Sequence, residues 1–283
     1  MKTILVGIDF SPASRNAFRY AAGLAKQYAS QLVLVHAYQP VVLASPYDDG
    51  TAITMLRQHE AMAQQQFAAL SSSLPAATRA CLTLSYQLEL GLPADILIAE
   101  SETLKPDLVV VGIKGEHAIL PDVIGSTTTA LIQRLAYPLL IVPEHAAYRG
   151  FDRIAYATDY QEDDLRVIDE LLYFAKQYQA KLSCVHVTNH DSLYPSYQQE
   201  LLKRTYNYDL VHEHIDFQTI THHDVVEGLR HYADWQRSDL LVMLTHHRSR
   251  IGQLFRYSHC RQLARKTTLP VWIYPAQTSE MAA

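Results

Sequence analysis

The sequence predicts an α/β protein made of two doubly wound, mostly parallel five-stranded sheet domains. Its 283 residues exceed one domain of about 100 to 200 residues and fall short of three. The chain also repeats itself. TILVGIDFSPASRNAFRYAAGLAKQYASQLVLVHA aligns without a gap to RIAYATDYQEDDLRVIDELLYFAKQYQAKLSCVHV at an offset of 150, setting Asp9 on Asp159 and His36 on His186. Later segments align at an offset of 132, PDLVVV on SDLLVM and Pro143 on Pro275, so the second copy lacks 18 residues between its second and third strands. Finally, short apolar segments alternate with helical ones, the pattern of a parallel sheet.

In order, ILVGI, QLVLVHA, LTLSYQLE, DLVVVGI and PLLIVP read as the five strands of the first copy, rich in Val, Ile and Leu as strands buried on both faces are. Ser11-Pro12 supplies an N-cap and a proline at the first helical position of the helix after strand one. In the second copy Asp159 and Glu162 have the spacing of a capping box. The predicted domains span residues 1–146 and 150–277, with the boundary in PEHAAYRGF, residues 143–151.

Composition narrows the function classes. Hydrophobic residues at 48% and charged residues at 19% give the balance of a globular chain rather than a disordered one. The longest apolar runs are too short to cross a bilayer, and MKTILVGIDF passes into strand-like sequence without a signal peptide's cleavage site. A cytoplasmic location is expected, without membrane contact. A net charge of -5 opposes nucleic-acid binding, which needs clustered Lys and Arg. Cys81, Cys184 and Cys260 are odd in number and widely spaced, which predicts reduced thiols.

The stretch with chemistry in it is GIKGEHAILPDVIGSTTT, residues 112–129. In an open parallel sheet, ligands sit beyond the carboxyl ends of the strands where the connections diverge. Gly112 closes the fourth strand, Gly115 follows, and Gly125-Ser126 stands directly before the helical TTTALIQRLA. Glycine there leaves main-chain N–H groups approachable, and a helix start offers unpaired donors to a phosphate. Ser126, Thr127 and Thr128 add hydroxyls, and Lys114 adds a cation.

The pattern G-x2-G-x9-G-[S/T], here Gly112, Gly115, Gly125 and Ser126, resembles that of the nucleotide-binding members of the universal stress protein family. So do the strand ending GIDFS and the segment QLELGLPADILIAE, and the resemblance covers nearly the whole chain as two tandem domains. It implies that the first domain binds ATP, with or without Mg2+. Ile8, Asp9, Phe10 and Ala37 would line the adenosine side, Val111 and Gly112 would flank base and ribose, and Gly115, Gly125, Ser126, Thr127 and Thr128 would hold the phosphates. Lys114 stands where family members often carry His or Arg. The resemblance further implies pairing through the last strands, PLLIVP with PVWIYP, as an intramolecular pseudo-dimer. The sequence leaves open whether the whole molecule pairs again.

In the second copy Leu244, His247 and Tyr257 replace Gly112, Gly115 and Gly125, while Ser258 keeps the serine. Bulky groups at these positions predict that this domain does not bind ATP in the first domain's manner. Ten of the 14 histidines follow residue 150, including His222-His223, His246-His247 and His259 beside Cys260, yet without the helical spacing of a metal pair. Alternatively, Arg248, Arg250 and Arg256 with His247 would form an anion pocket at the same strand ends. His36 and His186 occur whether or not the glycines do, which assigns them to scaffold packing. Sequence loops of P-loop enzymes, pyrophosphatases, adenylyltransferases and hydrolases are missing. The expected function is therefore an ATP-binding stress-response or regulatory module with an unidentified protein partner. The alternatives are a slow ATPase or phosphotransfer enzyme, and an interaction scaffold with a vestigial loop.

Overall fold

The computed structural model describes residues 1–38, 49–114, 125–189, 197–206, 214–245 and 257–275. The first half runs β1 (Thr3–Gly7), α1 (Pro12–Tyr28), β2 (Gln31–Tyr38), α2 (Asp49–Ser72), α3 (Ala76–Ala80), β3 (Thr83–Leu90), α4 (Pro93–Leu104), β4 (Leu108–Ile113), α5 (Ser126–Arg134) and β5 (Leu139–Pro143). The second half repeats it as β6 (Arg153–Ala157), α6 (Glu162–Tyr178), β7 (Lys181–Thr188), α7 (Tyr197–Tyr206), β8 (Ile215–Thr221), α8 (Val225–Gln236), β9 (Leu240–Leu244), α9 (Tyr257–Lys266) and β10 (Val271–Tyr274). The 18-residue difference falls between the second and third strands: the 24-residue α2 and the short α3 face only the 10-residue α7.

The two expected five-stranded sheets are joined into one ten-stranded sheet of order β3-β2-β1-β4-β5-β10-β9-β6-β7-β8. All strand pairs are parallel except β5 with β10, where Ile141, Leu140 and Leu139 lie opposite Val271, Trp272 and Ile273. The central strands β1, β4, β5, β9 and β10 are almost wholly apolar because successive side chains enter different cores, whereas the edge strands β3 and β8 carry polar residues such as Gln87 and Gln218. Ile4 and Val6 of β1, with Leu108 and Val110 of β4, pack beneath α1 and α2. Leu5, Val109 and Val111 pack with Leu97 of α4 and Leu131 of α5 on the opposite face.

Both halves share the first of these cores. Tyr28 stacks on Phe174 with ring centroids 6.0 Å apart, and Phe174 meets Trp272 edge-on at 5.0 Å. The connecting segment is fastened as well. Asn16 donates to the carbonyls of Pro143 and Ala146, and the Tyr148 hydroxyl lies 3.0 Å from that of Tyr178. Tyr148 also covers Gly23, where an added Cβ would come within 2.2 Å of its ring. Cutting the chain after Arg149 is therefore expected to leave the halves co-eluting in size-exclusion chromatography at micromolar concentration. Separate elution of the fragments would show that this seam is too weak to hold them.

Local signals mostly behave as read. Ser11 caps α1, its hydroxyl oxygen accepting from the Ser14 N–H at 3.2 Å, and Pro12 opens the helix. The cap of α6 differs from expectation: Gln161 is the N-cap, and Asp164 Oδ2, not Glu162, accepts the Gln161 N–H at 2.9 Å. The turn after β6 takes Tyr160 through a left-handed conformation and so starts the helix two residues later than Asp159 would. The aligned pair Asp107 and Asp239 also finds a role, each accepting the first main-chain N–H groups of the neighbouring strand, from Lys2 and Thr3 and from Asp152 and Arg153.

Candidate functional site

In the first half, β1 leads through α1 toward β2, while β4 leads through α5 toward β5 on its other side. Their carboxyl ends thus form the crevice where a ligand enters such a sheet. The register Val6↔Val110 and Gly7↔Val35 brings Ile8 level with Gly112 on one side and with His36 on the other. Ile8, Asp9, Phe10, Ala37, Val111 and Gly112 are therefore gathered at one end of the sheet. Ile8 and Val111 are buried in its floor, while Asp9, Lys114, Gly125 and Ser126 are exposed. Gly115 lies outside the described residues, as do His246, His247, Arg248, Arg250 and Arg256 of the second half.

The turn after β1 has a defined construction. Phe10 adopts a left-handed φ of 59°, a conformation that costs a non-glycine residue roughly 1–2 kcal/mol. Its ring rests on His36 at 4.7 Å and on Phe67 of α2 at 5.1 Å. His36 Nδ1 donates to the Ile8 carbonyl at 2.7 Å and so pins the strand end. His186 does the same for Thr158 at 2.9 Å, which confirms both histidines as scaffold. Asp9 Oδ1 accepts the Ser11 N–H at 2.9 Å, and the Asp9 N–H donates to the Ser14 hydroxyl at 3.3 Å. Partial burial would raise the Asp9 carboxyl, but its hydrogen bonds with Ser11 and Ser14 outweigh this and hold it below the usual range. The rim thus carries an ionised carboxylate. Ser11 and Ser14 set the state of Asp9, which motif reading missed, although their i, i+3 spacing is a visible signal.

The two described glycines of the motif exist for different reasons. At Gly112 an added Cβ would lie 2.3 Å from the Ala13 carbonyl oxygen and 2.7 Å from the Ser14 N. This glycine admits the backbone of α1, which runs close over β4 and β5. At Gly125 the backbone is ordinary, φ −54°, and among the described residues nothing lies within 4 Å of an added Cβ. Neither the packing nor the conformation of the described residues requires glycine there. What its absent side chain leaves open is the start of α5, which has no side-chain cap. Ser126 is exposed and Thr127 half-buried, whereas Thr128 is buried, so its main-chain N–H rather than its hydroxyl is the group it brings to this end. A helix start without a side-chain cap leaves main-chain N–H groups free to meet an anion.

The second half is built differently at the same level. Leu244 is buried in the core beneath α6, so its bulk fills the space that α1's backbone takes over Gly112 rather than covering a rim. Among the described residues α6 makes its close approach at β7 instead. Asp164 occupies the place of Ser14 and is buried, accepting from the Tyr156 hydroxyl, from Thr158 Oγ1 at 2.7 Å and from the Gln161 N–H at 2.9 Å. The Asp159 side chain is buried beside it. Burial, and next the charge of Asp164, push the Asp159 carboxyl up to about 7. A carboxyl raised above its unfolded value near 4 gives its full stabilising contribution below that value, and loses it as pH rises through 7. Asp164, joined by Asp159 once that carboxyl ionises, opposes an anionic ligand at this strand end.

The fold defines a class: a tandem α/β protein carrying two copies of one doubly wound domain. The model of the universal stress protein family matches residues 1–143 and again 150–275, and the chain belongs to that family. A universal stress protein of Thermus aquaticus is 27% identical over 143 residues, covering 50% of this chain and 98% of that protein. One from Mycolicibacterium smegmatis is 30% identical over 142 residues, 49% of this chain and 47% of that protein. In three dimensions the chain is similar to a universal stress protein from Archaeoglobus fulgidus, with a TM-score of 0.74 at 15% identity over 96% of this chain and 98% of that one. A functionally unknown protein from Pseudomonas aeruginosa PAO1 aligns with a TM-score of 0.57 at 14% identity, over 97% and 92%. Among the described residues no helix is long and apolar enough to cross a membrane.

Proposed function

We propose that the first half binds ATP at the ends of β1 and β4, and that the protein acts as a stress-response or regulatory binding module whose partner choice follows nucleotide occupancy. The observation that carries this reading is Gly125, a glycine that neither the packing nor the conformation of the described residues requires, standing before an uncapped nine-residue helix. The N–H groups of Ser126 and Thr127, the Ser126 hydroxyl and Lys114 would hold the phosphates. Asp9 would accept hydrogen bonds from the adenosine, with Ala37 and Val111 beside the base. Membership of the family supports adenine nucleotide as the ligand, because its nucleotide-binding members share the glycine pattern of residues 112–126. Any hydrolysis would be slow, since the described rim offers a carboxylate and a lysine but no assembled general base for water. Regulation would require ATP to bind one conformation more tightly than another.

Isothermal titration of the full chain with ATP tests the proposal. One site per chain at micromolar affinity is the expected result, with AMP weaker because the helix start is then unused. Two equal sites, or no heat at millimolar nucleotide, would refute it.

A further inference from the structure

We propose that Asp159 is a proton-operated latch: with its carboxyl protonated, the turn after β6 stays folded in against the end of the second half's sheet, and deprotonation turns the carboxylate out to solvent. The two halves make this turn with the same backbone. Phe10 and Tyr160 share the left-handed conformation, φ 59° and 58°, and each ring rests on its own histidine, at 4.7 and 5.1 Å. The aspartates preceding them are nevertheless in opposite states. Asp9 is exposed and ionised, whereas the Asp159 side chain is 6% exposed and its buried Oδ1 has no hydrogen-bond partner among the described residues.

One donor explains the difference. In the first half the N–H of Ser11 goes to Asp9. Its counterpart, the N–H of Gln161, goes to Asp164, which stands in the place of Ser14. Asp159 has thus lost a donor and gained a like charge in the same substitution. Among the described residues the other titratable groups around it are His186 of β7, whose Nδ1 is 3.9 Å from Oδ1 but donates to the Thr158 carbonyl, and the phenols of Tyr156 and Tyr160. The end of β9 contributes Leu244 and Thr245, neither of which titrates. Among the described residues no Lys or Arg pairs with either carboxylate. A buried carboxyl with neither donor nor cation is held in its neutral form. With burial and the Asp164 charge pushing it up to about 7, the change of state falls near neutral pH. Asp9 shows that the same turn backbone can carry its aspartate facing solvent, and an ionised Asp159 would there be hydrated by water in place of the N–H that Asp164 takes. The inference does not depend on nucleotide binding to the first half.

Carboxyl NMR of the full chain labelled with 13C-aspartate tests it, with the Asp159 signal assigned by its loss in Asp159→Asn. A midpoint near 7 is expected, moving down by at least one pH unit in Asp164→Asn, while Asp9 titrates below the usual carboxylate range. Amide exchange at residues 158–161, corrected for intrinsic pH dependence, should speed up across the same interval and stay level in Asp159→Asn. A midpoint below 5 would overturn the proposal, and so would a midpoint near 7 with unchanged exchange.

Discussion

Gly125→Tyr is expected to abolish ATP binding while leaving the melting temperature within a degree or two of wild type. The substitution copies the residue that the second half carries at the corresponding place, Tyr257. An added Cβ at Gly125 meets nothing among the described residues, and its φ of −54° suits any residue, so the fold has no reason to resist. The phenol would instead stand over the main-chain donors at the start of α5. A charge-assisted hydrogen bond is worth about 1.5–3 kcal/mol, so losing two weakens binding by at least about 100-fold. Titration calorimetry on the variant checks the affinity, and a thermal melt checks the fold. Unchanged affinity would remove the α5 start from the site. Gly125→Ala is the control: a methyl group in open space should cost little in either measurement.

How far the sequence discloses this molecule depends on how local the responsible physics is. The strands were legible because burial on both faces writes itself as continuous Val, Ile and Leu, and the N-cap at Ser11 because capping acts within three residues. The joining of two sheets into one through β5 and β10 was not readable from either strand alone; the family resemblance suggested it, since an edge strand looks the same before and after it acquires a neighbour. The cap of α6 was misread for a similar reason. Asp159 and Glu162 have the right spacing, but the left-handed turn at Tyr160 shifts the helix start and passes the role to Gln161 and Asp164. Asp164 itself is visible as Ser14→Asp in the repeat alignment. Its burial is not, because that depends on Tyr156 and Thr158 reaching it from β6. Likewise the glycines of the motif look equivalent as letters, and only the packing separates the one that admits a helix from the one that faces open space.

That separation leads to the opposite expectation at Gly112. Gly112→Leu, which again copies the second half, should destabilise the protein by about 3 kcal/mol or more, since overpacking typically costs about 1–3 kcal/mol even when the obstacle is a movable side chain. Here the obstacle is main chain, the Ala13 carbonyl oxygen at 2.3 Å and the Ser14 N at 2.7 Å, held by the Ser11 cap in the first turn of α1. Helix α1 would have to lift from β4 and β5, toward the position α6 takes over Leu244, and its own side chains Phe18, Leu24 and Tyr28 are packed for the closer one. At about 2–4 °C per kcal/mol for a chain of this size, the melting temperature should fall by roughly 10 °C. Nucleotide binding would fall too, because lifting α1 moves Ser11 and Ser14 away from Asp9. The reverse change, Leu244→Gly, should also be costly, at about 3–5 kcal/mol, since it empties a leucine site buried in the core beneath α6. A Gly112→Leu variant that melts with wild type would mean that α1 and β4 do not meet as described. Destabilisation in both directions would show that the two halves have diverged into separate packings, each now fitted to its own residue at this level of the sheet.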